Sequence, residues 1–297
     1  MSSLRVTVLG SGSSGNAMVV DNGRVAVMVD AGFGCRSLAR RLSDAGYQPE
    51  SIAAIVLTHE HVDHAQGALP AARRWNWPIY GSGGTIASLR RDDARRRADE
   101  CRRAAEQGRE VDHRPVRLLA LGGGNITIDG LTFAGHAVSH DASEPLGFII
   151  DDSVSGARIG IAVDLGHAPK TLVEKYSDLD LLVIESNHDV EMLRVGPYPA
   201  SLKRRIASRH GHLSNTEAGQ FAAACAHRGL RNVLLAHLSE TNNRPEHAVR
   251  SVRDALVQRG WRDCTVNATT QRTVSATVSA SRGSRRTAAA VQLQLFV

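Results

Sequence analysis

Residues 57 to 67 read "LTHEHVDHAQG" and place His59, His61, Asp63 and His64 within six residues, directly after the apolar run "IAAIV". That run reads as a buried strand ending at Thr58. Imidazole and carboxylate at this density, spaced HxHxDH, point to a transition metal such as zinc, manganese or iron. A loop at a strand end can fold back and aim all four groups at one point. A single histidine would be explained by packing; this cluster is not.

Further candidate ligands follow other apolar runs, as a site assembled from several loops requires. They are His140 in "AVSHDASEP", Asp164 in "IAVDLGH" and His237 in "LLAHLSE". The seven divide naturally. His59, His61 and His140 suit one ion, Asp63, His64 and His237 suit a second, and Asp164 bridges both. Two ions about 3.5 to 4 Å apart are the arrangement by which phosphatases and nucleases generate hydroxide and steady a leaving oxygen.

The surrounding sequence supplies an α/β frame. Runs such as "LRVTVLG", "VAVMVDAG", "NITIDGLTFAG", "LGFIIDD", "LDLLVIES" and "RNVLLAHLS" predict strands, several buried on both faces. Between them, "GCRSLARRLSDAG" predicts an amphipathic helix, and "SNTEAGQFAAACAHRG" predicts another that opens on a Ser214/Glu217 capping box and closes at Gly229. Residues 90–117 hold ten Arg and seven acids, which predicts a solvated helix with its charges paired along its own surface. "GSGSSGN" lacks the ending of a phosphate loop and reads as a tight turn.

Composition bounds the remainder. The 297 residues are 42% hydrophobic, enough for one large core, and 36 basic against 30 acidic residues leave a net charge of +6 that favours an anionic partner. Cys35, Cys101, Cys225 and Cys264 form no CxxC pair, so they read as single thiols rather than disulfides or thiolate metal sites. The opening "MSSLRVTVLG" is too short in apolar residues for a signal peptide, and no run of about eighteen apolar residues occurs; a cytoplasmic location is expected.

Through "HEHVDH", the "VDAG" strand ending at Asp30 and the later His, Asp and His, the sequence resembles the metallo-β-lactamase fold hydrolases. Within them, "GSGSSGNA", "VSHDASEP", "ESNHDVEMLRVGPYPASLKRRI", "GHLSN" and "LAHLSETNN" resemble the bacterial YycJ/WalJ-type proteins over roughly residues 4 to 245. That resemblance implies an αββα sandwich, a binuclear metal centre, and a 5′→3′ DNA exonuclease linked to mismatch repair. Carried over position by position, its ligands fall on the seven residues proposed from spacing. It also implies catalytic roles for Asp63, for His212 as the non-ligand histidine near the leaving group, and for Glu185 as its acidic partner. His167, His188 and His210 read as supporting or surface residues. The chain departs from the family in the long Arg-rich segment, in Leu165 and His167 after Asp164, and in its low-complexity tail.

Two alternatives use the same metal motif. One is an RNA-processing nuclease, although the large insertion of RNase J-type enzymes is absent. The other is a thioester or lactone hydrolase, although only sixty residues follow His237, against the substantial helical region that hydroxyacyl-glutathione hydrolases carry there. A binding module without activity would not need the complete ligand set.

The domain reading is a catalytic domain over 1–268, containing the 90–117 helical insertion, a flexible linker over 269–290, and a terminal peptide over 291–297. Its "QLQLF", with Gln292, Leu293, Leu295 and Phe296 as contacts, resembles the peptide by which bacterial replication and repair proteins dock on the DNA sliding clamp. The other reading of this strip is a last edge strand of the sandwich.

Overall fold

Short apolar runs build two seven-stranded sheets over residues 3–109 and 114–281, the residues that the computed structural model describes. The first sheet takes β1 (Leu4–Gly10), β2 (Ala17–Asp21), β3 (Ala26–Val29), β4 (Ile52–Val56), β5 (Ile79–Gly81) and β6 (Leu118–Ala120) in sequence order. The second holds β7 (Asn125–Ile128), β8 (Leu131–Ala137), β9 (Leu146–Asp152), β10 (Arg158–Ala162), β11 (Leu181–Glu185), β12 (Asn232–Ala236) and β13 (Thr265–Ala268), again each beside the next. A last strand, β14 (Val278–Ala280), returns to the first sheet and pairs antiparallel with the outer edge of β1.

Alternation along each strand sends side chains to opposite faces, and here both faces are covered. Val6 and Val8 point between the sheets toward the layer of Phe133, Phe148 and Val183, whereas Leu9 points outward. Likewise Leu181 and Val183 face the inter-sheet core, and Leu182 and Ile184 face the helices outside. This is why the strands read as continuous apolar runs.

Over the first sheet lie α1 (Cys35–Asp44), α2 (Val62–Ala65), α3 (Ala68–Trp75) and α4 (Gly83–Glu106), anchored by residues such as Leu38, Leu69 and Ile86. The connection after β10 carries α5 (Lys170–Lys175), and the one after β11 carries α6 (Val190–Val195), α7 (Ala200–Ile206) and α8 (Asn215–Cys225). After β12 comes α9 (Pro245–Gln258). Leu172, Phe221 and Val252 bury α5, α8 and α9 against the second sheet. The architecture is the expected αββα sandwich.

Topology then positions the site. Strands β3 to β6 run parallel in one sheet, and β10 to β13 run parallel in the other. Parallel strands deliver their carboxyl ends to the same edge, so the residues after β3, β4, β10, β11 and β12 gather along one rim of the sandwich.

Three local expectations meet the structure differently. On α4 the paired charge is present: Arg95 and Arg96 reach Asp92, Arg97 reaches Asp93, and Arg102 reaches Asp99. On α8 the Ser214/Glu217 capping box forms, yet the helix ends at Cys225 rather than at Gly229, because Ala226 turns extended and His227 contacts the Leu179 carbonyl at 2.8 Å.

The linker expected from 269 does not begin there. Thr269 and Gln271 are buried, Gln271 accepts from Ser14 N and donates to Gly15 O at 2.8 Å each, and Leu4 pairs with Ala280. The small polar residues that read as low complexity fit beside β1, whose outer edge has no other partner among the described residues. The terminal peptide 291–297 lies outside the described residues. Among the described residues no helix is long and apolar enough to cross a membrane.

Candidate metal centre

Residues Asp30, Asp164 and His237 each follow a strand, and each takes a left-handed backbone, with φ of 60°, 53° and 54°. For residues other than glycine this conformation costs about 1–3 kcal/mol. It ends the extended run abruptly and turns the side chain into the rim. Strain held at three neighbouring loops marks a place where side-chain position outweighs local backbone preference.

The loop carrying His59 to His64 is clamped against the loop after β3. Asn16 N donates to Asp63 O at 2.7 Å, Ala31 N to His64 O at 2.7 Å, and Gly67 N to Ala31 O at 2.9 Å. The approach leaves no room for side chains. A Cβ on Gly32 would lie 1.8 Å from Asp63 O, and one on Gly67 would lie 1.9 Å from Phe33 O.

All seven proposed ligands converge. His59, His61, His140 and Asp164 form one cluster of donor atoms, and Asp63, His64, His237 and Asp164 form another, so Asp164 belongs to both. In the first, His61 Nδ1 and His140 Nε2 are 3.2 Å apart, and His59 Nε2 lies 3.3 Å from Asp164 Oδ2. In the second, His64 Nε2 lies 2.8 Å from Asp164 Oδ2, and Asp63 Oδ2 is 3.6 Å from His64 Nε2 and 3.4 Å from His237 Nε2. Such separations suit ligands sharing an ion at bonds of about 2.0–2.2 Å.

Each of the five imidazoles has its other nitrogen engaged. His59 Nδ1 lies 3.0 Å from Thr58 Oγ1, His61 Nε2 3.2 Å from Asp141 O, and His140 Nδ1 3.1 Å from Gly211 O. His64 Nδ1 meets Asp30 Oδ2 at 2.8 Å, and His237 Nδ1 meets Glu185 Oε1 at 2.9 Å. Outer partners of this kind fix ring orientation and leave the inner nitrogen free to ligate. The inner His59 Nε2 is buried without a hydrogen-bond partner, as an atom reserved for a cation would be, and Asp164 Oδ1 faces His237 Nδ1 at 2.7 Å.

The electrostatics of the pocket make the same point. Burial lowers His59 to about 4, with His64 adding repulsion, so His59 is neutral and ready to ligate. Burial also opposes charge on His64, but Asp164 and Asp30 on its two sides outweigh that and raise it to about 10. His237 is raised well above its ordinary value in the same way, burial being overcome by Asp164, Asp63 and Glu185. The buried carboxylates around these rings thus favour positive charge in the pocket.

A third group joins Asp164, Glu185, His212 and His237. Glu185 is fully buried; its Oε1 faces His212 Nδ1 at 2.7 Å and His237 Nδ1 at 2.9 Å, and its Oε2 accepts from Leu165 N at 2.9 Å and Leu213 N at 3.3 Å. Both oxygens are occupied, so Glu185 orients the two rings rather than ligating. Burial would raise its carboxyl, but His212 and His237 hold it down to about 2; for His212, burial is outweighed by Glu185 and Asp164, which raise it to about 9.

Sequence reasoning passed over Asp30 as a functional residue and did not single out Thr58. Thr58 N and Oγ1 both donate to Asp30, which in turn orients His64. The signal was the "VDAG" strand end, where an aspartate follows a buried run. Asn16 lines the centre, its Nδ2 lying 3.0 Å from His64 Nε2. His167 meets the exposed Arg209, His210 is exposed, and His188 is buried beside Ser214.

Comparison with known proteins agrees with this geometry. Residues 26–238 match the model of the Beta-lactamase superfamily domain. The chain is 30% identical over 258 residues to exodeoxyribonuclease YycJ of Bacillus anthracis, covering 87% of this chain and 91% of that protein. It is also 30% identical over 257 residues to exodeoxyribonuclease WalJ of Streptococcus pneumoniae, covering 86% and 88%. Among solved structures, the metallo-beta-lactamase fold protein YhfI from Bacillus subtilis superposes with a TM-score of 0.66 at 18% identity, covering 93% of this chain and 99% of that one. The chain therefore belongs to the β-lactamase superfamily, as a metallo-β-lactamase-fold hydrolase of the YycJ/WalJ type.

Proposed function

We propose that the chain is a binuclear metal-dependent phosphodiesterase that degrades DNA as a 5′→3′ exonuclease in cytoplasmic DNA repair, specifically mismatch repair. The observation that carries this reading is the set of five imidazoles, each held by one nitrogen and presenting the other around the shared Asp164. The nuclease assignment leans on the names of the two relatives. His59, His61 and His140 would hold one divalent ion, Asp63, His64 and His237 a second, and Asp164 both; zinc and manganese suit the donors, and iron is compatible. When bound, such ions supply Lewis acidity and lower the pKa of water toward neutrality.

The chain's own groups complete the chemistry. Asp63 holds its carboxylate between His64 and His237, which fixes that side of the pocket. His212, its Nδ1 held by Glu185 at 2.7 Å, keeps Nε2 as the nitrogen available to give a proton to the departing 3′ oxygen. Glu185 steadies the protonated ring.

DNA and RNA labelled at either end, digested in parallel with zinc, manganese or magnesium, test the reading. Mononucleotides released first from the 5′ end of DNA are expected. Release from RNA alone, or no phosphodiester cleavage with any metal, would overturn it.

Recruitment forms a separate part of the proposal. Gln292, Leu293, Leu295 and Phe296 would dock the enzyme on the DNA sliding clamp, two apolar anchors filling a pocket while Gln292 directs a hydrogen bond. A peptide of residues 289–297 should bind the clamp with a Kd in the micromolar range, and Leu295→Ala with Phe296→Ala should abolish binding while sparing activity on free DNA. Loss of folding or of metal in that double variant would assign the strip to the core.

A further inference from the structure

Beneath the rim, the stretches "ESNHDVEML", "GHLSN" and "LAHLSETNN" supply polar side chains that the proposed chemistry leaves without a part. Ser186, Asn215 and Asn243 are buried, and their side chains make no hydrogen bond to any of the seven proposed ligands among the described residues. A buried amide is costly unless all its groups are paired.

Here they are paired with one another. Asn243 Nδ2 donates to Ser186 O at 2.8 Å, to Asn187 O at 3.0 Å and to Asn215 Oδ1 at 2.9 Å. Asn215 Nδ2 returns a bond to Asn243 Oδ1 at 2.9 Å, Arg244 N donates to the same oxygen at 2.9 Å, and Ser186 Oγ donates to Asn215 Oδ1 at 2.7 Å. Two carbonyls that can only accept and one N–H that can only donate fix which way the Asn243 amide points, and through it that of Asn215.

The pair lies where three loops cross. Asn187 N donates to Leu213 O at 2.9 Å and Asn215 N to His188 O at 2.8 Å, which joins the loop after β11 to the segment opening α8. Ser186 N donates to Ala236 O at 3.0 Å and Ser239 N to Asn187 O at 2.9 Å, which joins the same loop to the one after β12. Glu185 immediately precedes Ser186, His212 shortly precedes Asn215, and His237 opens the loop that ends in Asn243.

Of the two rings that share Glu185, only His237 has strong anchors elsewhere. Its N donates to Ser11 Oγ at 2.8 Å, and its Nδ1 faces Asp164 Oδ1 at 2.7 Å. His212 has Glu185 at 2.7 Å and a backbone bond from its N to Ile206 O at 2.9 Å, and it is followed by the longer Leu213 N to Glu185 Oε2 bond at 3.3 Å. Resting on the reading of His212 as the proton donor, we propose that the Asn215–Asn243 pair, with Ser186, is the device that sets the His212 ring against Glu185. Apolar contacts would let the three loops slide, whereas amide bonds have direction and hold them in one register. Asn215 and Asn243 are positioning residues, acting through His212.

Zinc-loaded full chain and its variants, compared on DNA and on the p-nitrophenyl ester of thymidine 5′-phosphate, test the brace; p-nitrophenolate leaves without a proton. Asn215→Ala should lower kcat on DNA about tenfold, less than His212→Ala does, with KM near that of the parent and the ester nearly unaffected. Ser186→Ala, which removes one hydroxyl, should move the same way by less, and both should keep the parent's metal content. In proton NMR, the His212 Nδ1–H resonance, assigned by its absence from His212→Ala, should shift upfield or broaden in Asn215→Ala. Should Asn215→Ala fail to fold, Ser186→Ala decides. Parent-like cleavage of DNA, equal loss on both substrates, or an unmoved His212 resonance would overturn the brace. Equal loss on both substrates in His212→Ala removes the proton-donor reading itself, whereas recovery of His212→Ala on the ester with parent-like brace variants removes the brace alone.

Discussion

Glu185 Oε1 lies 2.7 Å from His212 Nδ1, with the carboxyl group wholly buried and the ring partly open to solvent. A ring oriented in this way has one nitrogen left for a substrate. His212→Ala should therefore keep its metals and slow cleavage by about 10²–10⁴, the usual contribution of a positioned acid. A substrate with an activated leaving group should recover most of that loss. Equal loss on both substrates would assign His212 to positioning instead.

Protein purified without chelator should carry close to two equivalents of metal, since Asp164 joins two donor clusters. Asp164→Ala and His64→Ala should lower that content. Asp30→Ala, which removes the outer partner of His64 at 2.8 Å together with the acceptor of Thr58 N and Oγ1, should weaken metal affinity about 10–100-fold while leaving the inner ligands in the sequence. Elemental analysis against dialysis time separates the three.

His64 gives the metal-stripped chain a definite pH dependence. Its folded-state value is raised to about 10, from about 6.5 when unfolded, so its stabilisation is complete below about 6.5 and fades as pH climbs through about 10. Metal replaces that proton. The gain in thermal midpoint on adding metal should thus grow with pH across this window. A gain that shrinks toward alkaline pH would contradict the assignment.

Gly32→Ala places a methyl group 1.8 Å from the Asp63 carbonyl, which backbone movement alone can relieve. The displaced loop carries four ligands, so the variant should lose both thermal stability and metal content. Gly46→Ala is a poor control because of its positive φ; Gly34→Ala, with open space around it, should retain metal.

Gln271→Ala tests whether the segment after β13 belongs to the fold. Two hydrogen bonds to the Ser14–Gly15 turn would be lost at a buried site, and Ser14 N would lack its acceptor. A cost of about 1–3 kcal/mol in denaturant unfolding is expected. A flexible linker would show none.

What could be read beforehand follows from how strongly each element is marked. The ligands were legible because seven metal-binding side chains at strand ends have no packing explanation, and β4, β10, β11 and β12 because both their faces are apolar. By contrast β5, β6 and β14 have three residues each, too few to show a period, and they are strands because a neighbouring edge accepts them. Asp30 is legible as the end of the "VDAG" strand but not as the partner of His64, for a related reason. A lone aspartate after a strand is common, and only its distance to His64 separates it from the rest.

The pairing of Leu4 with Ala280 puts the two ends of the fold in one ladder, and synthesis makes them at very different times. At about 5–20 residues per second, β1 waits on the order of tens of seconds for β14. Until then its outer edge, which includes Val6 opposite the later Val278, is an open template for strands of other chains. His237, the last ligand, is made before that wait is over. The nascent chain thus acquires its full set of ligands while one edge of its first sheet is still open.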